Sequence, residues 1–303
     1  MQDDGPNGSQ SKPARVKVLK ILLTGADGFT GRHFADLARS NGHVVVPLKS
    51  NLTDLENLKK EILETMPDNV VHLAAISYVA HLDENAFYSV NVIGSINLLA
   101  ALVNLPVKPQ RVLMVSTANV YGNCAESPIS ENQIPAPINH YSMSKLAMEY
   151  LSQTYKERLP IVITRPFNYT GPGQDINFLI PKLVHHFASR APSISLGNID
   201  VEREFNDVQM VCEAYLHLLK YGECGEVYNV CTGRPYTLQF VIDELVGITG
   251  HLINVKFDAS LIRANEVKRL CGDATKFKAL LSRNAEKLPD IKLGHTLRRM
   301  LPT

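Results

Sequence analysis

Tyr141 and Lys145, in the run Tyr141-Ser142-Met143-Ser144-Lys145, are the two residues of this chain best suited by type and spacing to move a proton. On a helix, positions four apart project from one face, so an ammonium can stand beside a phenol. That charge favours phenolate and lowers a tyrosine pKa from its usual value of about 10. A phenol so placed donates a proton to a carbonyl oxygen as hydride reaches its carbon, or removes one in the reverse direction. Thr117, in Val115-Ser116-Thr117-Ala118-Asn119-Val120-Tyr121-Gly122, falls at the C-terminal end of a predicted strand, where open α/β sheets bind ligands. Its hydroxyl can stabilise charge developing on the same oxygen, and its neighbour Ser116 reads as structural. Tyr-x-x-x-Lys alone also describes an ordinary surface pair, so its weight depends on a second feature upstream.

That feature is a glycine turn, Thr24-Gly25-Ala26-Asp27-Gly28-Phe29-Thr30-Gly31, placed between a predicted strand and a predicted helix. Glycines let the backbone approach a pyrophosphate closely, and the helix N-terminus offers unpaired N–H groups and partial positive charge. The spacing is Gly-x-x-Gly-x-x-Gly, with strand-to-helix packing alone as the bland alternative. At the end of the second strand, Val46-Pro47-Leu48-Lys49-Ser50 has no acid to grip the adenosine ribose of NAD. Lys49, Ser50 and Arg32 can instead meet a 2′-phosphate, which tilts the expectation towards NADP over NAD. His72 reads as a buried, satisfied histidine.

These residues need a frame. Strand-like runs at Val16–Leu23, Val44–Leu48, Val70–Leu73, Arg111–Ser116 and Ile161–Thr164 alternate with helical stretches at Thr30–Ser40, Leu55–Glu64, Asn85–Val103 and Tyr141–Glu157. The alternation predicts an α/β fold, a doubly wound parallel (Rossmann-like) sheet, with a smaller C-terminal substrate-binding lobe. Residues 1–15 read as a disordered tail. Residues 16–170, rejoined by 205–225, make the dinucleotide-binding domain, and 171–204 with 226–303 the nucleotide-sugar lobe. In the second half, helices are expected at Asn177–Ser189, Val208–Tyr221 and Leu238–Val246, and strands at Ser193–Leu196 and Val227–Val230.

With 303 residues, 45% of them hydrophobic, the chain can bury a sizeable core. A net charge of +1 without a basic block gives no footprint for nucleic acid or an anionic membrane, so a small-molecule ligand is expected. Five cysteines without a Cys-x-x-Cys pair argue against a disulfide framework or zinc knuckle and fit a reducing cytoplasm. No uninterrupted apolar run approaches the roughly 20 residues of a membrane span.

The glycine turn, His72-Leu73-Ala74-Ala75, Ser116-Thr117, Tyr121-Gly122, Tyr141-x-x-x-Lys145 and Arg165-Pro166-Phe167-Asn168 occur in the order of the extended short-chain dehydrogenases/reductases, or NAD-dependent epimerases/dehydratases. The resemblance covers nearly the whole chain after the tail. The segments 165–174, 197–205 and 228–233 most resemble GDP-4-keto-6-deoxy-D-mannose reductases, which make GDP-D-rhamnose. The resemblance implies that Thr117, Tyr141 and Lys145 are catalytic. It implies a cofactor, NADP or NAD, held by Gly25, Asp27, Gly28, Phe29, Gly31, Arg32, Asn51, Leu52, Leu73, Ala74, Ala75, Asn91, Tyr141, Lys145 and Pro166. It also implies a GDP-sugar met by Thr117, Asn168, Lys182, Arg203, Arg263 and Glu266, with Phe178 and Ile180 beside the base. Guanidinium geometry agrees for Arg203, since its fork suits phosphate oxygens. Relatives commonly dimerise through two helices, here near Asn85–Val103 and Tyr141–Glu157, so a homodimer is expected.

Three departures from the family pattern stand out. Asn51 replaces the aspartate usual at the adenine contact, and Met210 stands where relatives carry aspartate. Ala118 and Asn119 occupy the place of the Asp-Glu pair with which a dehydratase of this family eliminates water. That leaves reduction of a 4-keto sugar, with 4-epimerisation using tightly held NAD as the alternative. A non-catalytic NADP-binding subunit is the remaining reading, disfavoured because Thr117, Tyr141 and Lys145 are all retained.

Overall fold

The computed structural model describes residues 17–77, 83–261 and 267–302. The tail expected over 1–15, together with Arg263 and Glu266, lies outside the described residues.

The first half alternates as the periodicity predicts: β1 (Lys20–Thr24), α1 (Phe29–Ser40), β2 (Val44–Pro47), α2 (Leu55–Thr65) and β3 (Asn69–His72). One long helix follows, α3 (Glu84–Tyr88) passing through a wider π-helical stretch at Ser89–Gly94 into α4 (Ser95–Val103). Then come β4 (Arg111–Val115), a 3₁₀ turn at Ala118–Tyr121, α5 (His140–Gln153) and β5 (Ile161–Pro166). The second half holds β6 (Tyr169–Thr170), α6 (Leu179–Ala188), β7 (Ser193–Leu196), β8 (Glu202–Arg203), β9 (Asn206–Asp207) and α7 (Val208–Tyr221). It continues with β10 (Val227–Val230), β11 (Tyr236–Thr237), α8 (Leu238–Thr249), β12 (Asn254–Phe257), β13 (Arg269–Leu270), α9 (Thr275–Arg283) and α10 (Leu293–Met300).

Six strands pair in parallel in the order β10-β5-β4-β3-β1-β2. Side chains alternate between faces along each strand. Ile21 and Leu23 therefore enter one core with α1, α7 and α9, while Leu22, Val70 and Val112 enter the other with α2, α4 and α5. A doubly wound sheet is the arrangement that buries both faces. The order in which strands are added reverses between β1 and β3, and a crevice at the carboxyl ends of the strands belongs at such a switch point. A third core, built from α6, α8, α10 and β7, holds the smaller lobe together.

The boundary drawn at 226 differs from what the chain does. β10 is the sixth strand of the main sheet, paired with β5, and α9 packs beside it through Phe277, Leu280 and Leu281. Residues 227–230 and 275–283 thus belong with the sheet, because the edge of β5 is completed only by this late strand. The helix Glu84–Val103 also differs from the expectation. Polar residues such as Asn85, Asn91 and Asn97 interrupt its apolar run, yet by length and composition it is the one described helix that passes for a bilayer span. Half of it is buried inside the protein, where it packs on α2 and α5 as a core helix does.

Candidate active site

The glycine turn wraps the end of β1. Gly25 has φ +69°, and a Cβ there would lie 2.7 Å from the Ala74 amide nitrogen. A Cβ on Gly31 would lie 2.1 Å from the Gly25 carbonyl oxygen, so the turn closes onto α1 only with glycine at both positions. Gly28 is the N-cap of α1 in extended conformation, with no side-chain cap and no acid in the first turn. The helix thus presents main-chain N–H groups and the positive end of its dipole to the crevice, a fit to pyrophosphate made of residues alone. Phe29 stacks on Tyr169 at 6.2 Å between ring centres, and Thr30 hydrogen-bonds the Tyr169 phenol at 2.8 Å. Arg32 donates to the carbonyls of Asp27 (2.6 Å) and Gly173 (3.3 Å), so it braces the turn.

The end of β2 holds an acid that the linear order hides. Glu61, on α2, accepts from the amides of Lys49 (2.8 Å) and Ser50 (2.6 Å). Asn51 folds back locally, its side-chain oxygen accepting from the Thr53 amide and hydroxyl at 3.0 and 2.9 Å. Leu52 is buried against Gly94, and its carbonyl accepts from Asn97 at 2.9 Å.

Beneath the crevice runs a buried chain of hydrogen bonds whose directions can be deduced. Ser144 donates to the Tyr141 carbonyl (2.8 Å), so Asn91 donates to Ser144 (3.0 Å). Ser95 donates to the Asn91 carbonyl (2.7 Å), so His72 must donate to Ser95 from Nε2 (2.8 Å). His72 Nδ1 then accepts from the Thr24 hydroxyl (2.8 Å), which itself accepts from the Ala74 amide (3.0 Å). Burial, seconded by the Lys145 charge, pushes the His72 pKa down to about 3, which keeps the ring neutral as the chain requires. The histidine is buried and satisfied, and it ties the glycine turn to the helix that carries Tyr141. Asn91 also pairs with both main-chain groups of Ile76 (2.9 and 3.1 Å), which shapes the loop after Leu73, Ala74 and Ala75.

Asn139 starts α5 with a capping box, accepting from the Ser142 amide at 2.9 Å, and so places Tyr141 in the first turn and Lys145 one turn on. Thr117 ends the run after β4 and caps the 3₁₀ turn by accepting from the Asn119 amide at 3.2 Å. Its hydroxyl stands close enough to the Tyr141 phenol to favour the ionised form of that phenol. The structure therefore brings Thr117 and Tyr141 together, from β4 and α5. The expected depression of the phenol does not occur: burial raises the Tyr141 pKa, and the neighbouring Thr117 hydroxyl only partly offsets it. The phenol is protonated at neutral pH and available as a proton donor. Lys145 is 3% exposed; burial pulls its pKa down to about 8 against the opposing charge of Glu149. Ser116 donates its amide to Thr164, while its hydroxyl is buried without a partner among the described residues.

Behind the triad, Arg165 on β5 pairs with Glu149 on α5, and its Nη1 donates to the Tyr121 phenol at 3.0 Å. Tyr121 in turn donates to Asn229 on β10 at 2.7 Å. Pro166 ends β5 beside Val230. Asn168 accepts through its carbonyl from Asn206, and no bond to its side chain is present among the described residues. Arg203 donates to the carbonyls of Glu202, Val267 and Lys268, at the edge of the segment containing Arg263 and Glu266. Lys182 donates to the Ser195 carbonyl at 3.2 Å within the lobe. Met210 is core, 2% exposed, and the buried carboxylate nearby is Asp207, which accepts from Thr296 at 2.6 Å and from Arg299.

Sequence reasoning missed Glu61, Thr24, Ser95, Ser144, Glu149 and Tyr169. Only Glu149 carried a local signal, since it repeats the four-residue step from Lys145 on α5.

A model described as the NAD dependent epimerase/dehydratase family matches residues 21–231. The chain is 36% identical over 268 residues to GDP-6-deoxy-D-talose 4-dehydrogenase of Aggregatibacter actinomycetemcomitans, covering 87% of this chain and 91% of that protein. It is 35% identical over 297 residues to GDP-6-deoxy-D-mannose reductase of Pseudomonas aeruginosa, covering 93% and 96%. The solved structure of RMD from Pseudomonas aeruginosa complexed with NADPH superposes with a TM-score of 0.85 at 33% identity, covering 94% of this chain and 96% of that one.

Proposed function

This chain belongs to the NAD dependent epimerase/dehydratase family, and on that premise we propose that it reduces the C4 ketone of a GDP-linked 4-keto-6-deoxyhexose with NAD(P)H, giving GDP-D-rhamnose. The observation that carries the reading is the Thr117 hydroxyl set beside a Tyr141 phenol that burial keeps protonated. Reduced nicotinamide supplies the hydride. Tyr141 donates its proton to the C4 oxygen, and Thr117 holds that oxygen and steadies the charge passing through it. Lys145, as ammonium, binds ribose hydroxyls of the cofactor. Asn168 and Arg203, with Arg263 and Glu266, hold the GDP moiety.

Ala118 and Asn119 leave the site without a carboxylic acid–base pair beside Thr117, which supports consumption of the keto sugar over its formation. One second reading concerns stereochemistry. Hydride delivery to the opposite face of C4 gives GDP-6-deoxy-D-talose, and the 36% identical relative bears that name. Incubating the chain with GDP-4-keto-6-deoxymannose and NADH or NADPH, then assigning the C4 configuration by NMR, separates the two. Absence of cofactor oxidation, with interconversion of 4-hydroxyl epimers instead, would overturn the reductase and favour a 4-epimerase.

We also place the enzyme in the cytoplasm as a homodimer. The free cysteines fit a reducing compartment. Leu98, Leu99 and Leu102 are core, so the dimer rests instead on Ile93, Met143 and Tyr150, which are 50%, 44% and 64% exposed along the long helix and α5.

A further inference from the structure

From the arrangement at the end of β2 we infer that Glu61 is a specificity-determining residue that holds down affinity for the 2′-phosphorylated cofactor. The inference rests on the dinucleotide-binding reading above. β2 neighbours β1, whose end carries the glycine turn, and in this sheet topology the adenosine ribose lies against the end of β2. Two consecutive main-chain N–H groups there, Lys49 and Ser50, form the kind of nest that an anionic oxygen pair occupies. Glu61 already occupies it, with Oε1 on the Lys49 amide at 2.8 Å and Oε2 on the Ser50 amide at 2.6 Å.

Each side chain suited to meet a 2′-phosphate is also committed elsewhere. The Ser50 hydroxyl and the Lys49 ammonium both lie close enough to act on the Glu61 carboxylate. Arg32 is engaged by the carbonyls of Asp27 and Gly173. Partial burial pushes the Glu61 carboxyl up, but the Ser50 hydroxyl, the two amides and the Lys49 charge outweigh it, so Glu61 stays ionised at neutral pH. An incoming 2′-phosphate meets like charge and finds its donors taken, whereas a 2′-hydroxyl meets an acceptor.

The test is a binding titration of the full chain and its Glu61→Gln variant, by calorimetry, with 5′-AMP and adenosine 2′,5′-bisphosphate, and by fluorescence with NADH and NADPH. In the wild type the added 2′-phosphate should change affinity by less than about threefold. In Glu61→Gln the preference for the 2′-phosphorylated ligand should rise by about tenfold or more in both pairs, which is about 1.4 kcal/mol. Glu61→Ser serves if the glutamine variant melts early, and should move the ratio the same way. A wild type that gains more than about tenfold from the 2′-phosphate, or a ratio unmoved in both variants, overturns the inference. Failure of every ligand to bind the wild type would instead bring down the dinucleotide reading, and this inference with it.

Discussion

Arg165 closes on Glu149 through Nε at 3.0 Å from Oε1 and Nη2 at 2.6 Å from Oε2, with both side chains buried. Glu149 follows Lys145 by one helical turn on α5, so the same carboxylate acts on that buried ammonium. One carboxylate thus serves two cations, on β5 beside Pro166 and on α5 beside Tyr141.

Activity should therefore fall on the alkaline side as Lys145 loses its proton, with an apparent pKa near the value of about 8 set by its burial. Replacing Glu149 with Gln removes the charge that supports the ammonium and should move this limb of the kcat/KM profile to lower pH. The same change leaves the Arg165 charge buried and unpaired, at a cost of about 3–5 kcal/mol in denaturant unfolding. The alkaline loss concerns activity and not the fold. Between about 8 and 10.5 the unfolded chain binds the lysine proton more tightly than the native one, so this group makes stability rise with pH. A limb unmoved in Glu149→Gln would refute the coupling.

Tyr141→Phe should lower kcat by about 100- to 10,000-fold, because no other group donates the proton, while cofactor binding measured by fluorescence persists. Thr117→Val should cost about 100-fold by removing the second hydrogen bond to the reacting oxygen. Wild-type turnover in Tyr141→Phe would exclude the phenol as donor.

His72 titrates at about 3 in the folded chain against an ordinary 6.5, so the unfolded state binds the extra proton between those values. Stability should decline as pH falls through that window and be fully retained above it. His72→Gln, which keeps an N–H donor towards Ser95, should flatten the acid slope of the denaturation midpoint. At neutral pH it should cost about 1–3 kcal/mol for the Thr24 hydroxyl left without its acceptor. An acid slope as steep in the variant as in the wild type would assign the effect to other groups.

Two glycine-to-alanine changes should move stability in opposite directions. At Gly31 the added Cβ meets the Gly25 carbonyl oxygen at 2.1 Å, so the turn must open. Loss of cofactor binding and about 1–3 kcal/mol of stability are expected. At Gly247, inside α8 with nothing within 4 Å of the added Cβ, a gain of about 0.5–1 kcal/mol is expected. Thermal melts and cofactor titrations of both variants check the pair.

How much was legible before folding depended on how local the cause is. Alternation of strand-sized and helix-sized apolar runs predicted the parallel sheet, because period 2 and period 3.6 are properties of a short stretch. The glycine turn and the Tyr141–Lys145 step were legible for the same reason, as each lies within one strand-to-helix turn or one helix face. Thr117 was legible as a strand end, but its approach to Tyr141 needed β4 and α5 side by side. The place of the sixth strand in the main sheet was not legible, since pairing of β10 with β5 spans the whole excursion through α6, β7 and α7. Glu61 and His72 show the same limit from within the site. Eleven and twelve residues separate Glu61 from its two amide donors, and 48 separate His72 from Thr24. Residue types and their linear order determined which groups can hold a dinucleotide and deliver a proton. Burial and long-range contact decided which carboxylate stands at the end of β2, which ring stays neutral and where the lysine titrates, because desolvation exists only once the two faces of the sheet are covered.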